Sequence, residues 1–178
     1  EWDWHREEEV VNGAGLEGAP WAMAYQGLYP HQDTLEEVVV IPSADSQNSK
    51  GGIQPGTHAQ FPLFCEFLEH CFPALQGRIR PLSQFLEEDE SWIGGVPYSN
   101  LKHLIRVTDK VFDALSRDSR IGRETGRVLV DVTSGSRETG MAGTLVTLAR
   151  DRRFQHVNTV NQEVRTFDIE YVAEGEGE

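Results

Sequence analysis

Four consecutive β-branched residues, Val38-Val39-Val40-Ile41, limit more than any other feature what this chain can become. A helix would restrict χ1 at each of them, whereas a pleated strand packs branched side chains well. The run has no polar residue to turn toward water. It therefore suits a strand buried on both faces, as in a parallel sheet covered by helices. A second run of this type, Arg127-Val128-Leu129-Val130-Asp131-Val132, lies far downstream. Elsewhere the apolar residues recur at helical spacing. Phe61, Phe64, Leu68, Cys71, Phe72 and Leu75 mark one amphipathic helix, with Pro62 tolerated in its first turn. Leu101, Leu104, Ile105, Val111, Phe112 and Leu115 mark a second, which Ser99 or Asn100 can cap. Met141, Leu145 and Leu148 predict the inner face of a third. Trp21-Ala22-Met23-Ala24-Tyr25-Gln26 reads as a first strand, followed by a turn over Gly27-Leu28-Tyr29-Pro30 and a short helical stretch into Glu36 and Glu37. Arg78-Ile79-Arg80-Pro81-Leu82 reads as a short strand, and residues 155–160 and 164–172 as two final ones. This alternation predicts an α/β fold: a Rossmann-like, doubly wound, mainly parallel sheet with flanking helices. Such sheets bind ligands beyond the carboxyl ends of their strands.

At 178 residues the chain has room for one domain with a sizeable core. A formal charge of −13 argues against binding long nucleic acid, which is held by surplus Lys and Arg. An anionic ligand must then be held locally. Cys65 and Cys71 lie six residues apart on a predicted helix, where about 240° of rotation separates them, so they read as small core residues of a reducing compartment. His5, His31, His58, His70, His103 and His156 show no metal-ligand spacing, and no metal is assigned. No apolar run of about 18 residues is present to span a bilayer. The first 19 residues are polar and open on Glu1-Trp2-Asp3-Trp4-His5-Arg6, which suits a linker or a juxtamembrane stalk, with two Trp at headgroup level and a membrane segment removed from the front. The folded domain is expected over residues 20–173, and Glu174-Gly175-Glu176-Gly177-Glu178 as a flexible acidic tail. The expected location is cytoplasmic, with or without a tether to the inner membrane.

The strongest chemical signal follows the second strand. In Asp131-Val132-Thr133-Ser134-Gly135-Ser136-Arg137, Gly135 permits a sharp turn, and the next helix offers unpaired N–H groups and a positive dipole end. Thr133, Ser134, Ser136 and Thr139 add hydroxyls, and Arg137 a cation. Together these make a cradle for an anion. Gly140 and Gly143 point to close packing of that helix on the sheet or on a partner. After Ile41 comes the polar loop from Pro42 to Gly52, in which Ser43, Asp45, Ser46, Gln47, Asn48, Ser49 and Lys50 offer hydrogen-bonding groups and one cation. Gln26 and Gly27 are a third, weaker contributor. Lys102, Arg106 and Lys110 line up at i, i+4 and i+8, a stripe suited to solvent or to the acidic segment around Glu87-Glu88-Asp89-Glu90.

The segment from Asp131 to Met141 resembles the Asp-x-Thr-Gly-Gly-Thr-Lys signature of CARF domains, the CRISPR-associated Rossmann-fold sensors of type III immunity. Ser134 stands where that pattern has Gly, Ser136 where it has Thr, and Arg137 where it has Lys. The last change trades a point charge for a planar fork. The strand from Val38 to Ile41 and the loop after it are similar to that family's other ligand loop. The resemblance implies a cyclic oligoadenylate, first of all cyclic tetraadenylate, bound across a homodimer or a higher homo-oligomer, because an isologous pair suits a symmetric ring. It implies no cofactor.

Three readings follow. One is a sensor whose output lies outside this chain, such as an N-terminal transmembrane helix that alters membrane permeability. Another is a ring nuclease, for which Ser136, Arg137 or Lys50 would suffice. The third is a Rossmann-like domain for another nucleotide or a protein-binding module; the lack of Gly-x-Gly-x-x-Gly and of Gly-x-x-x-x-Gly-Lys-Ser/Thr weighs against dinucleotides and ordinary triphosphates.

Overall fold

A computed structural model describes residues 21–47, 50–86, 94–118, 128–133, 137–148, 152–158, 161 and 163–168. The expected leader, the acidic segment around Glu87 to Glu90, the final tail and the residues Asn48, Ser49, Ser134, Gly135 and Ser136 lie outside the described residues.

The chain enters through a helix, α1 (Ala22–Leu28), where a strand was expected. Ala22, Met23, Ala24 and Gln26 are strong or adequate helix formers. Trp21 and Tyr25, four apart, fall on one helical face and pack together on the next helix. The Trp21 ring lies 5.6 Å from Phe64 and 5.4 Å from Phe67, and Tyr25 stacks 5.4 Å from Phe72. The predicted turn at Gly27 and Leu28 is therefore part of α1. A 3-10 turn follows at Tyr29–His31 and ends well short of Glu36.

Strand β1 (Val38–Val40) is where the β-branched run predicts it, and it pairs in parallel with β4 (Ile79–Pro81). Pairing extends one step further, because Ser43 makes a parallel bridge to Val96. Between them, β2 (Ser46–Gln47) and β3 (Ile53–Gln54) form a small exposed hairpin, and α2 (Phe61–Cys71) carries Pro62 in its first turn. The two cysteines are free and half-buried. Helix α3 (Leu101–Arg117) starts at Asn100, whose side chain accepts from the His103 N–H at 3.1 Å. Its buried residues, Leu104, Val107, Thr108, Val111, Phe112 and Leu115, keep helical spacing throughout.

Strand β5 (Leu129–Asp131) leads to α4 (Arg137–Thr147) and pairs in parallel with β6 (Arg153–Val157). β6 then turns back antiparallel onto β7 (Val164–Asp168), with Phe154 stacked 4.9 Å from Phe167. Arg152 fastens the start of β6 to α3: it reaches Asp109 at 2.5 Å and Asp113 at 3.2 Å, and it lies over the Phe112 ring.

Successive residues of a strand point to opposite faces, and β1 shows what that does here. Val38 packs with Tyr25, Phe67, Leu68, Phe72 and Leu75, the core under α1 and α2. Val39 packs with Leu82, Val96, Leu104, Val107, Val111 and Ala142, the core under α3 and α4. Helices thus cover both faces of β1. The described residues form a mixed α/β structure in which the strands make three small sheets, two of them containing parallel pairs.

The packing of α4 corrects one expectation. Met141, Leu145 and Leu148 are not on the inner face but are 53 %, 45 % and 42 % exposed. Ala142, Val146 and Thr147 face inward instead. The reason is distance. A Cβ on Gly143 would sit 2.2 Å from Cγ1 of Val132, so the helix lies too close to β5 for large side chains on that side.

Candidate functional site

The predicted site residues that the structure describes fall into two groups. Each group lies at the carboxyl end of a parallel strand.

The first group is built on β5. Asp131 ends the strand, and its Oδ1 accepts from the Thr133 N–H at 2.7 Å, closing a local turn of the type Asp favours. Its Oδ2 accepts from Gln155 Nε2 at 2.7 Å. The same amide nitrogen donates to the Gly27 carbonyl at 2.8 Å, while Gln155 Oε1 meets His31 Nε2 at 2.7 Å. Gln155 is 1 % exposed. A buried amide without partners costs roughly 2–7 kcal/mol, so a fully bonded one makes this arrangement strongly preferred over its neighbours. Thr133 is held a second time, because its Oγ1 accepts from the Val157 N–H at 2.8 Å. Thr133 is thus fixed through both its backbone and its side chain, and α4 begins at Arg137. Thr139 follows in the first turn of that helix. The Asp131 carboxylate faces the protein with both oxygens engaged, and it acts as the brace of the turn.

Three predicted residues, Gly27, Asp131 and Thr133, are brought together here. His31 and Gln155 join them without having been predicted. Gln155 had one weak signal in the sequence, a polar residue inside the strand-like Phe154-Gln155-His156-Val157, while its pairing with Asp131 is seen only in the fold. His31 had none, since it reaches the cluster from across the fold. Gln26 lies in α1 beside Gly27.

The second group is built on the segment after β1. Ser43 and Thr57 exchange bonds: the Ser43 N–H donates to Thr57 Oγ1 at 2.9 Å and the Thr57 N–H to Ser43 Oγ at 3.0 Å. Asp45 Oδ1 accepts from the Gly56 N–H at 2.7 Å. His58 Nδ1 lies 3.3 Å from the Ser43 carbonyl and 3.8 Å from Asp45. Gly95, at φ +78°, and Gly56 let two other segments pass against Ser43 and Ala44; a Cβ at either would fall within 2.6 Å of that backbone. Ser43 and Asp45 therefore shape their loop, whereas Ser46 and Gln47 lie exposed in β2 and Lys50 in the turn that follows.

Outside these groups, the outer face of α4 carries an open apolar groove lined by Gly140, Met141, Thr144 and Leu145. Among the described residues no group of three or more His, Cys, Asp or Glu is placed to hold a metal ion. No helix among them is long and apolar enough to cross a membrane.

Neither a described protein family nor a solved structure matches this chain. It is similar to an uncharacterised protein of Aquifex aeolicus (strain VF5), 25 % identical over 150 residues, which cover 84 % of this chain and 41 % of that protein. The chain thus spans about two fifths of the length of that relative.

Proposed function

We propose that this chain is a sensor that binds a cyclic oligoadenylate, cyclic tetraadenylate first of all, at the turn from β5 into α4, with two copies of the chain sharing one ring. The observation that carries this reading is the double anchoring of Thr133, by the Asp131 carboxylate on its N–H and by the Val157 N–H on its hydroxyl oxygen. It holds the start of an anion-binding turn in place before any ligand arrives, at the carboxyl end of a parallel strand, where α/β sheets bind their ligands. Ser134, Ser136 and Arg137 supply the donors and the charge in the CARF-like motif. The motif's departures from the usual pattern, at Ser134, Ser136 and Arg137, keep the anion-binding chemistry and change the shape of the donor set.

The finer fold belongs to the same reading. Helices on both faces of β1, parallel pairing of β1 with β4 and of β5 with β6, and α1 and α4 packed beside β6 support a doubly wound, Rossmann-like arrangement. The dimer is supported by the outer face of α4. Exposed Met141 and Leu145 line one groove with Gly140, where no heavy atom lies within 4 Å of the Cβ position, and Leu148 is exposed further along. Pairing two copies through this face covers apolar surface, and a symmetric ring calls for such an isologous pair. In this reading the output lies outside this chain, for example in an N-terminal transmembrane helix that alters membrane permeability.

The test is a titration of the chain with cyclic tri-, tetra- and hexaadenylate, repeated with Arg137→Ala. The reading predicts tight binding of one ring size and at least about tenfold weaker binding in the variant, the scale of one charge-assisted contact. Failure to bind any ring overturns it.

A further inference from the structure

Asp131 and Gln155 are register partners across the parallel β5–β6 pair, so their side chains rise from the same face of the sheet toward α1. Gln155 Nε2 has two protons, and both partners within reach, the Gly27 carbonyl at 2.8 Å and the Asp131 carboxylate at 2.7 Å, can only accept. This fixes which end of the amide is nitrogen. The oxygen end therefore accepts from His31, which must carry its proton on Nε2. A directed series of bonds results: His31 donates to Gln155, Gln155 donates to Asp131, and Asp131 accepts from the Thr133 N–H. At 1 % exposure Gln155 leaves no room for water to take its place.

We infer that Gln155 is a positioning residue for the ligand turn, and that His31 sets the orientation in which its amide does so. The inference rests on the reading above only for what the turn binds. The last torsion of an Asp side chain is broad, so Asp131 alone has no reason to keep one oxygen on Thr133. The Gln155 amide holds the other oxygen and removes that freedom. Since the same amide grips the Gly27 carbonyl and His31, it also ties the segment from Ala22 to His31 to the turn, and order at one end is shared with the other.

The experiment uses the full chain and two variants. Gln155→Met keeps the length and much of the volume of the side chain but cannot donate. His31→Phe leaves Gln155 in place and removes only the bond that orients it, at a half-buried position. Amide exchange at Thr133 is read first, because it needs no ligand. The expected result is exchange roughly tenfold faster in Gln155→Met, with a smaller rise in His31→Phe, while amides of α3, packed on the opposite face, keep their rates. Binding of cyclic tetraadenylate falls at least about tenfold in Gln155→Met. Thr133 exchange at the unaltered rate in both variants overturns the inference, and so does an equal rise at Thr133 and in α3, which would mark a purely structural residue. Should Gln155→Met fail to fold, His31→Phe decides by the same two measurements. If the unaltered chain binds no ring, the ligand reading falls by itself, and Thr133 exchange still decides whether Gln155 positions the turn.

Discussion

A Cβ on Gly27 would sit 2.1 Å from Oδ2 of Asp131, so α1 can lie against the Asp131 carboxylate only because residue 27 has no side chain. Gly27→Ala must push α1 away from β5 or rotate the carboxylate off Gln155. Overpacking of this kind costs about 1–3 kcal/mol, which lowers the melting temperature by about 2–4 °C per kcal/mol at this size. A thermal scan beside the unaltered chain checks it.

Two other glycines, both in α4, predict opposite signs. Gly140 has open space where a Cβ would go, so Gly140→Ala should stabilise the helix by about 0.5–1 kcal/mol. A Cβ on Gly143 would meet Cγ1 of Val132 at 2.2 Å, so Gly143→Ala should destabilise by about 1–3 kcal/mol. Denaturant midpoints of the two variants, read together, test how α4 packs on β5.

Removing the brace has a local and a global effect. Asp131→Ala leaves the Thr133 N–H and one Gln155 proton without their acceptor, a loss of about 1–3 kcal/mol. Ring binding should fall with it even at temperatures where the variant is fully folded, as titration at 10 °C would show.

How much of this could be read from the sequence depends on what each residue meets. The run at Val38 to Ile41 needed nothing but its own chemistry, and it forms the strand it predicts. Asn100 caps α3 for the same reason, since a cap is a local bond. Trp21 to Gln26 misled because large and small residues alternate there; only the rings of Phe64 in α2 and of Phe72 just after it decide that Trp21 and Tyr25 share one face. In α4 the spacing of Met141, Leu145 and Leu148 is helical, and so is that of Ala142 and Val146. Spacing cannot choose between two such faces. Closeness of approach chooses, and Gly143 was its one sign in the sequence. At the site, Asp131 and Thr133 are joined by a bond only two residues apart, whereas His31 lies 124 residues from Gln155 and becomes its partner only through the fold.

Alkaline pH should destabilise the chain through two partly buried acids. Burial pushes the Tyr98 hydroxyl, which donates to the Ile41 carbonyl, from 10.0 up to about 12, and the Cys71 thiol from 9.0 up to about 12. Between the ordinary and the raised values the unfolded chain loses protons that the folded chain keeps, so stability falls as pH rises. Their contribution is fully present below about pH 9 and is lost by about pH 12. Denaturant midpoints measured from pH 8 to 12 should decline over that window, and Tyr98→Phe should flatten the part above pH 10.

The most direct measurement of the central claim is the stoichiometry of ring binding, by isothermal titration of the full chain with cyclic tetraadenylate at a concentration where its oligomeric state has been fixed by sedimentation. The account predicts saturation at one ring per two chains, with the chain dimeric in the complex. Saturation at one ring per chain, or no heat with any ring size, would contradict it.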